Sequence, residues 1–315
     1  MISAPPLPFK RLRSVFGERL QLGAPLARYT AARVGGPADA LLAVASMDEL
    51  VEAVRHLWAE GIPFTILGGG SNVLVSDAGV RGVVLLNRAK KVRFDENVEP
   101  PVVWAESGAN FGAIARQAAN KGLGGLEWAA GIPGTVGGAV VGNAGAHRGD
   151  VAGNLAQAEV LHVVRGRETW PVEKLAFEYR SSDLKRNPGQ AVVLSATLQL
   201  EHSSPEAIRE KMGHFLARRR QTQPPGASMG SMFKNPPGDY AGRLLDAAGL
   251  KGTRVGDAEI STLHANFFIN HGEATAADVY ELIQLSHSTV AEKFGIKLEL
   301  EIELIGGLSH PFGHL

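Results

Sequence analysis

The sequence predicts an α+β protein of more than one domain, and three observations predict it. Strand-like and helix-like patterns alternate from about residue 40 to residue 305. Two uncharged glycine-rich loops, Gly68-Gly-Gly-Ser-Asn72 and Gly131-Ile-Pro-Gly-Thr-Val-Gly-Gly-Ala-Val-Val-Gly-Asn-Ala-Gly-Ala146, punctuate that alternation. The segment 297–305 alternates strictly, with Leu298, Leu300, Ile302 and Leu304 on one face and Glu299, Glu301 and Glu303 on the other, the pattern of a half-buried strand. A chain of 315 residues has the length for two or three domains with substantial cores.

Residues 1–20 form a poorly patterned lead-in with room for one short helix. Ala27-Arg-Tyr-Thr-Ala-Ala-Arg-Val-Gly-Gly36 leads into a strand over 40–44. Ser46 and Glu49 make a capping box for a helix whose apolar side carries Leu50, Val54, Leu57 and Trp58, with Gly61 as its stop. Strands over 64–67 and 83–86 complete a strand–helix–strand unit. The first glycine loop sits at a strand's carboxyl end, where open α/β sheets bind ligands. Another strand covers 102–106. Asn110 then caps a helix to about Lys121, ended by Gly122 and Gly124. After the second glycine loop, strands over 158–164 and 191–200 flank a polar cluster, Phe177-Glu-Tyr-Arg-Ser-Ser-Asp183. Ser204 caps and Pro205 opens a helix running to Arg218-Arg-Arg220. Those three arginines suit the carbonyls of a helix C-terminus and are expected to face solvent, a nucleic-acid surface being the other reading. Gln223-Pro-Pro-Gly226 breaks the chain, and Gly230-Ser-Met-Phe-Lys-Asn-Pro236 is the next marked loop. Helices follow near 239–248 and 275–294, the second with a Thr275/Asp278 box and a Gly295 stop.

Composition narrows the chemistry. Lys plus Arg and Asp plus Glu are 32 each, so the net charge is zero and neither nucleic acid nor an anionic membrane is expected as a partner. There are 38 glycines, about 12% against a typical ~7%, and the excess is local to the loops. With no cysteine, disulfides, thiolate metal sites and cysteine nucleophiles are excluded. Scattered histidines offer no ligand spacing, so no metal is expected. Residues 1–20 lack the apolar core of a signal peptide, and a cytoplasmic protein is expected. The uncharged run 128–146 is long enough for a membrane span, but six glycines and Pro133 make it a poor helix. Neither G-x-G-x-x-G nor G-x-x-x-x-G-K-[ST] occurs, which disfavours a Rossmann dinucleotide site and a P-loop. Glycine lets a ligand approach main-chain N–H groups, and successive N–H groups form anion-binding nests. Either loop alone reads equally as a tight turn in a core. Together they suggest a large phosphate-bearing cofactor held by main chain.

Five motifs in order, Gly68-Gly-Gly-Ser-Asn-Val-Leu-Val75, Gly131-Ile-Pro-Gly-Thr-Val-Gly-Gly138, Asn143-Ala-Gly-Ala146, Tyr179-Arg-Ser-Ser182 and Gly230-Ser-Met-Phe-Lys-Asn-Pro236, resemble the UDP-N-acetylenolpyruvoylglucosamine reductases. These are flavoproteins of bacterial cell-wall precursor synthesis. The similarity extends from about Ala27 to Gly306. The resemblance implies two FAD-binding lobes of the vanillyl-alcohol-oxidase type, expected over 1–87 and 88–203. It implies a third, α+β substrate domain over 204–306, which leaves a tail at 307–315. It further implies NADPH as co-substrate, the enolpyruvyl ether of UDP-N-acetylglucosamine as substrate, and a monomer. The expected cofactor positions are Gly68, Gly69, Gly70, Ser71, Asn72, Gly131, Pro133, Gly134, Thr135, Gly137, Gly138, Asn143, Ala144, Gly145 and Ala146. Ser71-Asn72 stand where covalent flavin oxidases of this fold often place a histidine, so FAD is expected to be non-covalent.

In the implied reaction, hydride reaches C3 of the enolpyruvyl group and a proton reaches C2. Arg180 matches the family's cation for the substrate carboxylate, and a guanidinium fork suits that group. Glu301 matches the acidic residue that polarises the same carboxylate, an assignment that rests on alignment at Leu304-Ile305-Gly306. By pattern alone, Glu299, Glu301 and Glu303 are one solvated strand face. Ser231 matches the proton donor to C2, where a turn or cap serine is the plainer reading. Tyr179, Gln223, Lys234, Asn235 and His264 are candidate substrate contacts. The chain between Arg180 and Ser231 is too short for the tyrosine-bearing loop of one family branch, so the shorter branch is inferred. An FAD-dependent alcohol oxidase and a nucleotide-sugar-binding regulator without turnover stay open. Flavin reduction by NADPH and its reoxidation by the enolpyruvyl sugar separate these readings.

Overall fold

The protein is described by a computed structural model covering residues 7–308. The tail expected over 307–315 therefore lies, beyond Leu308, outside the described residues, as does the start of the lead-in. The chain forms two compact units. Among the described residues, one takes 7–42, Gly70–Val84 and 220–308; the other takes Ala43–Gly69 and Leu85–Arg219. Two strands, Pro37–Val44 and Val80–Asn87, run from one unit into the other.

The second unit is built on a five-stranded antiparallel sheet. Its order across the sheet is Gly166–Pro171, Leu155–His162, Ala191–Gln199, Val102–Glu106 and Val92–Asp95. Val103 and Ala105 face a core with Phe111, Ile114, Trp128, Val136 and Val140. The helix Phe111–Asn120 supplies part of that core, and Asn110 caps it as expected, Oδ1 accepting from the Ala113 N–H at 2.8 Å. The helix Met47–Ala59 buries Leu50, Val54 and Leu57. Its cap is Ser46, while Glu49 reaches back to the N–H of Ala45 at 2.9 Å.

Three expectations change here. The strand expected over 158–164 is Leu155–His162, and Val163-Val164 turn outward into a partner strand, Gly166–Pro171, which sequence reading missed. Charged residues disguise that strand, and Arg167 finds its ion pair across the ladder on Glu159. The 131–146 segment is not all loop, because Val136–Val141 is a short helix. Its first N–H groups are anchored on the 107–109 turn, Val136 to the Ala109 carbonyl at 2.9 Å and Gly137 to that of Ser107 at 2.8 Å. Tertiary anchoring thus overrides poor propensity. The polar cluster 177–183 is a tight turn, with Arg180 at φ 56°, leading into the helix Asp183–Arg186 capped by Ser182.

In the first unit, Leu20–Pro25 pairs antiparallel with Pro37–Val44, and Glu303–Ile305 pairs parallel with Val73–Val75. A three-stranded antiparallel sheet, Arg254–Val255, Ala258–Ile260 and Phe268–Asn270, packs with the helices Ala241–Ala247 and Ala276–Phe294. Their core holds Met232, Phe233, Leu244, Phe268, Leu282, Ile283, Leu298 and Leu300. The Thr275/Asp278 box and the left-handed Gly295 stop are as expected. The last segment is corrected: hydrogen-bonded strand is limited to Glu303–Ile305, with a single bridge from Leu300 to Phe233 upstream. Leu298, Leu300 and Ile302 are buried, so the alternation records burial against the core and not a continuous ladder.

Candidate active site

The two glycine loops meet. Gly68 lies against the Thr135 side chain, and a Cβ on Gly69 would stand 2.9 Å from the Gly134 Cα. Gly134 has φ 112°, a conformation that side chains rarely adopt. On its other side the first loop turns at Gly70, φ 60°, where a Cβ would stand 2.8 Å from the Thr30 Cα. These glycines are needed for the loops to pack on the chain at all, before any ligand is considered. Helix Val136–Val141 carries Gly137 and Gly138 onward to Asn143, a buried residue at φ 43°. The Asn143 side chain donates to the Glu178 carbonyl at 3.0 Å and accepts from the Ala152 N–H at 3.0 Å, which fixes the exit of the segment.

Arg180 is brought to that exit. Its guanidinium donates to the Gly145 carbonyl at 2.6 Å and to the Asn143 carbonyl at 3.4 Å. The Tyr179 ring lies 5.3 Å from the guanidinium carbon and is half exposed. The turn at 178–181 places this charge beside the uncharged loop.

Within the first unit, backbone hydrogen bonds gather a second set. Glu301 N–H donates to the Met232 carbonyl at 2.9 Å, so Glu301 lies opposite the neighbour of Ser231. The Asn72 side chain donates to the Glu301 carbonyl at 3.0 Å, and the Asn72 carbonyl accepts from Glu303 N–H at 2.9 Å. The loop residue Asn72, the last segment and the Ser231 loop are thereby joined. Ser231 bridges Phe267, and its hydroxyl has no hydrogen bond among the described residues. Glu301 is half-buried, whereas Glu299 and Glu303 are exposed, a distinction that periodicity could not make.

The remaining candidates have structural partners. Lys234 Nζ pairs with Glu299 at 3.1 Å, and Asn235 Oδ1 accepts from the Ala241 N–H at 3.1 Å, which tethers the helix that follows. His264 lies edge-on to Phe267 at 5.0 Å and against Gly242, and burial holds its pKa below the ordinary histidine value. Gln223 is half-buried. One positioning residue was missed. Asn266, 3% exposed, accepts from the Phe233 N–H at 2.9 Å and donates to the Phe233 carbonyl at 2.8 Å, while its own carbonyl accepts from Met232 N–H. The signal available was a lone amide inside the apolar run Ala265–Ile269. Among the described residues no group of acidic or histidine side chains is placed to hold a metal.

Two family patterns match the chain: "FAD binding domain" over residues 38–167, which contains both glycine loops, and "UDP-N-acetylenolpyruvoylglucosamine reductase, C-terminal domain" over 221–305, which contains Ser231 and Glu301. A UDP-N-acetylenolpyruvoylglucosamine reductase of Chloroflexus aggregans is 44% identical over 89% of this chain and 96% of its own. That of Moorella thermoacetica is 47% identical over 90% and 92%. The chain belongs to the UDP-N-acetylenolpyruvoylglucosamine reductase family. The crystal structure of the Thermus caldophilus reductase agrees, with a TM-score of 0.76 and 38% identity over 91% of this chain and 98% of that one. As a member of this reductase family the protein is an FAD-binding oxidoreductase, with the α+β fold expected. Its residues fit the cofactor: the glycine loops pack closely, Gly69 against Gly134, and neither loop carries a charged side chain.

Proposed function

We propose that the protein reduces the enolpyruvyl ether of UDP-N-acetylglucosamine to UDP-N-acetylmuramate, with NADPH as reductant, in peptidoglycan precursor synthesis. The observation that carries this reading is the hydrogen-bonded set Asn72–Glu301–Met232, which fixes an acid of the last segment beside the Ser231 loop. The FAD loops of the proposal are 68–72 and 131–146, with the cofactor bound non-covalently. When bound, FAD supplies the hydride that arrives at C3 of the enolpyruvyl group.

The chain's own residues handle charge and proton. Arg180 and Glu301 act on the substrate carboxylate, into which the negative charge at C2 spreads; preorganised donors there stabilise charge as it develops. Ser231 gives its hydroxyl proton to C2, and that hydroxyl is uncommitted within the protein. Tyr179 is proposed as a substrate contact. Lys234 and Asn235 serve it less directly, since each already has a partner. The division proposed for function is two FAD-binding lobes over 1–87 and 88–203 and a substrate domain over 204–306. It differs from the two compact units, which are defined by packing.

Stopped-flow spectroscopy of Ser231→Ala tests the assignment. A general acid contributes about 10²–10⁴-fold, so flavin reoxidation by the enolpyruvyl sugar should slow by that order while its reduction by NADPH stays at the wild-type rate. Reoxidation at the wild-type rate would make Ser231 a turn residue. Failure of the wild-type flavin to be reoxidised by that sugar at all would overturn the substrate itself.

A further inference from the structure

The long helix Pro205–Thr222 rests on both ends of the 131–146 segment. At one end, Gly131 has φ 81°, and a Cβ there would stand 2.8 Å from Leu216 Cδ2, 3.6 Å from Arg219 Cδ and 3.7 Å from Arg219 Nε. At the other end His147, the residue after Ala146, stacks on the Phe215 ring with centroids 4.1 Å apart and planes 6° from parallel. Three side chains of one helix, Phe215, Leu216 and Arg219, thus hold the segment at both edges.

The arginines at the end of this helix were expected to face solvent together. Arg218 and Arg220 do, but Arg219 is half-buried and turned onto Gly131. No carboxylate pairs with Arg219 among the described residues, and burial holds its pKa below the ordinary arginine value. Beside it the buried Nε2 of His147 has no hydrogen-bond partner among the described residues either. A partly desolvated guanidinium without a counter-ion destabilises a fold unless something supplies the negative charge.

We propose that Arg219 is that charge's partner: it holds the FAD diphosphate against the 131–146 segment. The segment itself has no charged side chain, so its main-chain N–H groups answer a diphosphate with partial charges only. A guanidinium at the Gly131 edge adds a full charge and a planar fork matched to phosphate oxygens. Arg180 at the opposite edge is committed to the carbonyls of Asn143 and Gly145. Arg219 lies outside both matched ranges, 38–167 and 221–305, and no glycine motif points to it.

The inference rests on the reading that 131–146 forms part of the FAD site, and the test separates the two. Apoprotein of the wild type, Arg219→Gln, Arg219→Lys and Arg220→Gln is titrated with FAD by flavin fluorescence, with the midpoint potential of each reconstituted protein and the Tm of each apoprotein measured alongside. Arg219→Gln should raise the Kd for oxidised FAD about 10- to 100-fold, the range for a charged hydrogen-bonding group. Arg219→Lys should fall between it and the wild type, and Arg220→Gln should stay within about twofold. The midpoint potential should not move. The apoprotein Tm of Arg219→Gln should hold or rise, because an uncompensated charge is removed; a merely structural arginine would lower it. A wild-type Kd for Arg219→Gln overturns the inference, as does an unchanged Kd with a lowered potential, which would place the charge on the reduced ring. Wild-type apoprotein that takes up no FAD would instead sink the underlying reading.

Discussion

Glu299, Glu301 and Glu303 have the same side chain and the same spacing, yet they are not equivalent. Glu299 is tied to Lys234, Glu303 is exposed, and Glu301 is half-buried with its backbone held by Asn72 and Met232. Environment, and not residue type, therefore separates the acid assigned in the proposed mechanism from its two neighbours. Glu301→Gln should lower turnover through flavin reoxidation by the enolpyruvyl sugar, and Glu303→Gln should leave both half-reactions within about twofold, since exposed surface changes are usually near neutral. Equal effects of the two substitutions on reoxidation would refute this assignment. Ser231 depends on its surroundings in the same way. Asn266, through Phe233 and Met232, sets the loop on which the hydroxyl is presented.

At the scale of elements, the helix Pro205–Thr222 is packed on the 131–146 segment through the His147–Phe215 stack and the contact of Leu216 with Gly131. Burial, then the charges of Arg219 and Arg218, hold the His147 pKa below its ordinary value of 6.5. The unfolded chain consequently binds this proton more readily than the folded one. The sign follows: the contribution to stability is complete above about pH 6.5 and is lost as the pH falls below it, where only the unfolded state gains the proton. His147→Phe keeps an aromatic ring against Phe215 and removes the titration. Urea unfolding of the two apoproteins between pH 7.5 and 5.5 should show a shallower loss of midpoint for the variant; parallel profiles would mean that the imidazole is as free to protonate as in water.

At the scale of the molecule, FAD is the natural partner of a fold that keeps its two uncharged loops in contact. Bound to the native state alone, it should raise the Tm with FAD concentration, by the ordinary linkage between ligand and fold. Held without a covalent bond, it should be released into the supernatant on acid precipitation and chromatograph as FAD. Yellow colour left in the precipitate would overturn the non-covalent assignment.

The sequence by itself determined the α+β class, the bounds of helices that carry explicit end signals, and the motifs that mark the family. Ser46, Asn110, Ser204 and Thr275 were legible because a cap is a local hydrogen bond between residues a few positions apart, and Gly295 because only a left-handed residue suits that stop. Residues joined through the fold were not legible. The helix Val136–Val141 exists because Ser107 and Ala109, far earlier in the chain, anchor its first N–H groups. The strand Gly166–Pro171 exists because Leu155–His162 offers it a ladder. Glu301 stands apart from its neighbours, and Arg219 from Arg218 and Arg220, only after the chain has folded back on itself. Propensity, capping and periodicity act over a few residues; burial, desolvation and the choice of hydrogen-bond partner are set by whatever distant segment arrives, and those decide which of several identical side chains is set apart from its neighbours.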